Sequence, residues 1–106
     1  CLTLDLKDKP ELIDKYKHYH KRENNWTEIN AGIKAAGILL MDIYLVDNRM
    51  FMICEIDEKD NFDEVWKKIG TYPRQDEWFE LMCNYIQAIP SHDLGWVKME
   101  RVFELT

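Results

Sequence analysis

The stretch KYKHYHKRENNW, residues 15–26, places Tyr16, His18, Tyr19 and His20 within five consecutive positions of a strongly charged segment. On an α-helix Tyr16 and His20 are i and i+4 neighbours on one face, whereas His18 and His20 are turned about 200° from one another. A phenol beside an imidazole can supply and accept a proton without either being strongly perturbed, because histidine titrates near neutrality and tyrosine near pH ~10. The pair therefore suits general acid–base work. Packing competes with that reading, since the face in question is the apolar one and a hydrogen-bonded Tyr and His can equally fill ordinary core space. The two histidines cannot share an ion on a helix, His92 lies far along the chain in a loop-like stretch, and no ligand spacing recurs, so no metal site is expected.

Periodicity supplies the elements that must position these groups. Leu2, Leu4 and Leu6 alternate with polar residues, the pattern of a half-buried strand. Pro10 suits the first turn of a helix, and Leu12, Ile13, Tyr16, Tyr19 and His20 then recur on one helical face. A second helical run begins where Asn25 can cap and Glu28 can reach back, carries the stripe Trp26, Ile29 and Ile33, and ends at Gly37. MDIYLV and MFMICEI are β-rich runs whose connection contains Asp47 and Asn48, residues that tolerate the dihedrals of a tight hairpin. Helical periodicity returns over NFDEVWKKIG, breaks at Pro73, and resumes through DEWFELMCNYIQAI as far as Pro90. The last run, WVKMERVFEL, alternates again.

The order βαββαβ predicts an α+β protein with a four-stranded antiparallel sheet and helices on one face, the ferredoxin-like arrangement. Both alternating sets of the hairpin strands are apolar: Ile43 and Leu45 against Tyr44 and Val46, Phe51 and Ile53 against Met52 and Ile56. A sheet that is apolar on both sides needs a second layer. Another copy of the chain would supply it, giving a homodimer through the sheet face in the manner of a dimeric α+β barrel.

A chain of 106 residues predicts one domain, 1–106. Net charge is −6 with the acidic residues dispersed, which argues against a nucleic-acid partner. No apolar run approaches the roughly 20 residues of a membrane helix, and no charged-then-apolar leader precedes the first strand, so a soluble cytoplasmic protein is expected. The missing initiator methionine points to a few residues ahead of Cys1. Cys1, Cys54 and Cys83 are odd in number and widely spaced, which reads as reduced thiols, with Cys54 and Cys83 buried. There is no P-loop, dinucleotide fingerprint or nucleophile elbow, and with only four glycines no nucleotide cofactor is expected. Trp66, Trp78 and Phe79 crowd the second helical region; such residues usually build core, but an indole face is also a platform for the C–H face of a sugar ring. Glu55 and Glu100 are carboxylates within apolar runs, either solvated at an edge or placed in a pocket.

The ordered blocks TLDLKDKPELIDKY, WTEINAGIKAAGI, DIYLVDNRMFMICEI, YPRQDEWFELM and WVKMERVFEL resemble, over nearly the whole chain, the L-rhamnose mutarotase superfamily, which also includes L-fucose mutarotases. The resemblance implies a cofactor-free aldose mutarotase that interconverts the α and β anomers of a 6-deoxy-L-hexopyranose, L-rhamnose or L-fucose, and that forms a homodimer. The family's Y-x-x-x-H pattern falls on Tyr16 and His20, which implies His20 as proton donor and Tyr16 as its catalytic partner and a sugar contact. An aromatic pair that binds the sugar falls on Trp78 and Phe79. Met41 stands where some members carry a substrate-contacting tyrosine, and Thr27 replaces the proline of the usual WPE. Two other functions remain open on the same scaffold: a non-catalytic sugar-sensing module, and a cofactor-free monooxygenase of the dimeric α+β barrel type, which shares the fold but not these blocks.

Overall fold

The computed structural model describes residues 1–105. Strand β1 (Leu2–Leu6) leads to helices α1 (Pro10–His20) and α2 (Thr27–Ala36), then to the hairpin of β2 (Ile38–Val46) and β3 (Arg49–Ile56). Helices α3 (Phe62–Ile69) and α4 (Gln75–Met82) follow, and two short strands, β4 (Ile86–Gln87) and β5 (Val97–Lys98), end the ordered pairing. The sheet is antiparallel in the order β2-β3-β1-β4, with β5 also on β1. This is the expected α+β, ferredoxin-like arrangement. Among the described residues no helix is long and apolar enough to cross a membrane.

The four-strand expectation needs correction in its last strand. β4 and β5 lie end to end along the same edge of β1: Leu6 and Asp5 face Ile86 and Gln87, while Thr3 and Leu2 face Val97 and Lys98. One strand position is thus filled by two segments with residues 88–96 looped out between them. The helix expected to run to Pro90 stops at Met82 instead. Asn84 turns back and donates its side-chain amide to the carbonyl of Leu81 at 3.0 Å, a local bond that competes with further helix. Tyr85 and Ile86 are then buried against β1, whose free backbone edge demands partners; the Lys7 amide takes the carbonyl of Tyr85 at 2.8 Å. At the other end, the Met99 amide bonds the carbonyl of Cys1 at 2.9 Å. Residues 99–105 have a strand's alternation but are not in a strand.

Local signals explain the rest. Asp47 adopts the left-handed dihedrals of the hairpin turn, at φ 53°, and Gly37 does so at the end of α2, at φ 117°. Asn61 caps α3 through the Glu64 amide at 3.1 Å. Asn25 does not cap α2, contrary to expectation: Trp26 occupies that position, with no side-chain cap. Leu4, Leu6, Met50 and Met52 are almost wholly buried on the helix side of the sheet, each contributing about 1.5–3 kcal/mol of transfer free energy. Cys54 and Cys83 are half-buried rather than buried, and all three thiols are free.

Among the described residues no helix covers the opposite face of the sheet. In register, Leu40 pairs Glu55, Asp42 pairs Ile53, Tyr44 pairs Phe51 and Val46 pairs Arg49, and Leu40, Tyr44, Val46 and Ile53 are exposed. Beside them Asp5 is 5% exposed and receives two bonds from the Arg49 guanidinium, at 2.8 and 3.0 Å.

Candidate active site

Between the helical layer and the sheet lies a cavity of about 850 Å³, within the range of small-molecule sites. Its floor is the apolar strand surface of Leu4, Ile43 and Met52, and its walls include the rings of Trp26, Trp78 and Phe79. The packing follows from the helical stripes: α1 sets Tyr16 among the core leucines and methionines, while α4 turns Met82 inward and leaves Trp78 half-buried beside it.

Tyr16 and His20 both line this cavity, their rings stacked at 4.1 Å between centroids and 25° between planes. They do not hydrogen-bond to each other through their side chains. Instead His20 Nδ1 lies 2.7 Å from the main-chain carbonyl of Tyr16, one turn back on the same helix. A carbonyl oxygen only accepts, so Nδ1 carries the proton and Nε2 is left as the exchangeable position. Crowding by its neighbours removes water from the ring and lowers the pKa of His20 below its ordinary 6.5, against an opposing upward pull from the Tyr16 carbonyl. His20 nevertheless remains solvent-exposed at the end of α1, and it borders the cavity. Tyr16 is 7% exposed, and burial pushes its phenol well above its ordinary range. At neutral pH the site therefore holds a neutral imidazole with a free Nε2 beside a phenol that keeps its proton.

Trp78 is the hub of the aromatic wall. Its ring meets His20 at 5.4 Å and Trp26 at 5.2 Å, edge to face, and Tyr19 at 6.4 Å. Trp26 is also contacted by the Arg74 guanidinium, 4.1 Å from the ring centre. Arg74 itself sits at φ 65°, a conformation uncommon for a residue with a side chain, and reaches Glu28 at 3.5 Å and Glu77 at 3.4 Å. The loop before α4 is thus bent to put a cation against the tryptophan that takes the cap position of α2.

All five residues singled out from the sequence, Tyr16, His20, Met41, Trp78 and Phe79, border this one cavity. Glu55 and Glu100 do not; both are exposed, Glu55 on the uncovered sheet face and Glu100 in the C-terminal stretch. Trp66 also reaches the cavity. The sequence reading missed Gln75 and Trp96 and placed Trp26 only in a packing stripe. Trp96 arrives at the end of the loop that splits the last strand position. A lone Gln carries no pattern to find it by.

Fold and site together define a class: a small α+β protein whose helices hold a stacked Tyr–His pair and an aromatic wall around one ligand-sized cavity. The chain belongs to the L-rhamnose mutarotase family, whose sequence profile matches residues 1–105. It is similar to an L-fucose mutarotase of Xanthomonas campestris pv. campestris, 30% identical over 110 residues that cover 100% of this chain and 86% of the relative. It is also similar to a UPF0734 protein of Dictyostelium discoideum, 37% identical over 112 residues that cover 97% of this chain and 86% of the relative.

Proposed function

We propose that this protein is an aldose mutarotase acting on a 6-deoxy-L-hexopyranose, L-rhamnose or L-fucose, with His20 and Tyr16 as its acid–base groups. The observation that carries the reading is the commitment of His20 Nδ1 to a backbone carbonyl, which leaves a neutral Nε2 facing a cavity that also holds a protonated phenol. Mutarotation opens the hemiacetal by taking a proton from the anomeric hydroxyl and giving one to the ring oxygen, then recloses it after rotation about C1–C2. His20 starts neutral, so Nε2 first accepts the anomeric proton. On closing, the imidazolium returns it to the aldehyde oxygen, which is where the donor role implied by the family pattern arises. The ring oxygen receives its proton from Tyr16 or from a water beside it, and gives it back on closing. Trp78 and Phe79 take the C–H face of the ring, and Met41, with a thioether in place of a hydroxyl, offers that side of the sugar an apolar contact.

Saturation-transfer NMR of L-rhamnose and L-fucose, with and without the protein, tests the reading directly. Faster α–β exchange of at least one sugar is expected; saturable binding without faster exchange would favour the sensing module instead. Because the reactive form of His20 is the neutral one and burial lowers its pKa, the protein-dependent rate should level off towards alkaline pH and fall as pH drops through the lowered value. A rate that climbs on acidification below pH 6.5, after subtraction of the spontaneous reaction, would assign the opposite starting state.

The homodimer expectation finds its support on the uncovered sheet face. Tyr44 and Val46 are each 56% exposed there, and Val102 and Leu105 in the unpaired C-terminal stretch are 88% and 84% exposed. We propose that a second copy covers this surface. Sedimentation should give about twice 12.8 kDa at micromolar concentration, and Ile53→Asp should return it to a single chain with the cavity side unaltered. A wild-type mass of one chain would refute the dimer.

A further inference from the structure

Gln75, the first residue of α4, is 8% exposed although it is polar, and lies one turn before Trp78. Its Nε2 donates to the main-chain carbonyl of Ile29 in α2 at 3.1 Å. Because that carbonyl only accepts, the bond fixes which end of the amide is nitrogen and turns Oε1 the other way. Among the described residues no side-chain nitrogen or oxygen is both sealed from solvent and unpaired. Oε1 has no protein donor among the described residues, so it keeps access to solvent, and Gln75 lines the cavity. The fit is close: a Cβ on Gly32 would come within 2.7 Å of Gln75 Nε2 and 2.9 Å of Tyr72 Cβ. Glycine inside a helix costs about 1 kcal/mol relative to alanine, and here it makes the room in which the amide lies against α2.

The consequence is an acceptor with one orientation, anchored between two helices, in the cavity that also holds Tyr16 and His20. A sugar lying flat on an indole is held in height but can turn about its own normal. One fixed acceptor away from the reacting end removes that freedom, and orientation of this kind is a large part of catalytic advantage. We infer that Gln75 is a sugar-binding residue whose Oε1 accepts a hydrogen bond from one non-anomeric hydroxyl, setting the ring's rotation over Trp78 so that its anomeric end meets His20. The inference takes its ligand class from the mutarotase reading.

The test measures dissociation constants by tryptophan fluorescence, without turnover, for L-rhamnose, L-fucose and their 2-, 3- and 4-deoxy derivatives. Gln75→Met keeps the length and apolar bulk and removes both polar atoms; Gly32→Ala displaces the amide by a different route. Loss of one hydrogen bond to a sugar hydroxyl should weaken binding of the parent sugar about 10-fold. For a single deoxy derivative, the one lacking the bonded hydroxyl, both variants should bind as the wild type does. Unchanged affinity in Gln75→Met, or an equal loss across all three derivatives, would overturn the inference in favour of a purely structural amide. If Gln75→Met does not fold, the same derivative pattern in Gly32→Ala decides. Wild-type binding without faster anomer exchange would overturn the mutarotase reading alone, and no binding of any of these sugars would overturn both.

Discussion

His20→Ala should lose about 10²–10⁴-fold in protein-dependent anomer exchange at neutral pH, the usual contribution of a positioned acid–base group, while its circular dichroism stays that of the wild type. The fold is expected to survive because His20 is the last residue of α1 and its one hydrogen bond is to a carbonyl of its own helix. Losing that bond costs about 0.5–1.5 kcal/mol, and a neutral imidazole adds no charge to the helix C-terminus whose loss would count further. A domain of this size holds about 5–15 kcal/mol. Tyr16→Phe separates the two roles further. It removes only a hydroxyl from a residue that is 7% exposed, so the stack against His20 persists while the protonated partner disappears. A smaller loss than in His20→Ala is expected, since water can relay the second proton. Unchanged exchange of L-rhamnose and L-fucose in His20→Ala, read by saturation transfer, would remove the imidazole from the chemistry altogether.

The pairing of Tyr16 with His20 was legible in the sequence because its geometry is local. An i, i+4 spacing on an amphipathic helix puts two rings together whatever the helix packs on, and Pro10 and the stripe through Tyr16 already announced the helix. What the spacing did not show is that the rings stack and that Nδ1 turns back to the Tyr16 carbonyl, which decides the starting protonation state. The hairpin was legible for the same local reason, with Asp47 at its turn. The last strand was not, because Ile86 and Gln87 sit in a window with helical periodicity, and only the open edge of β1 makes them a strand. Residues 99–105 alternate like a strand, yet β5 pairs with β1 only over Val97 and Lys98. Asn25 looked like a cap, but Trp26 takes that position, with its indole in contact with Trp78 and Arg74. Gln75 acquires its meaning from Ile29 and Gly32, residues more than forty positions away, and no pattern around it reports them.

Trp78→Ala should damage catalysis and stability together, and the combination distinguishes a support from a simple platform. Its indole touches His20, Trp26 and Tyr19, with centroid separations of 5.4, 5.2 and 6.4 Å. Aromatic pairs of this kind contribute about 0.5–1.5 kcal/mol each beyond the area they bury, and a fully buried Trp→Ala change costs about 3–5 kcal/mol. For a half-buried ring the lower end applies, about 3 kcal/mol, or a fall in Tm of roughly 10–20 °C. With the indole gone, His20 keeps its stack on Tyr16 and its bond to the Tyr16 carbonyl but loses the ring that confines it from the other side. Displacements near 1 Å at a reacting group can cost about 10²-fold, so kcat/KM should fall by about that much, with kcat lowered as well as KM raised. Phe79 is the control. It lines the same cavity but is 49% exposed and stands apart from the His20 and Trp26 contacts, so Phe79→Ala should raise KM and leave kcat and Tm nearly as they are. If Trp78→Ala instead behaves like Phe79→Ala, with KM alone affected, the indole serves the sugar only and the placement of His20 depends on α1 by itself.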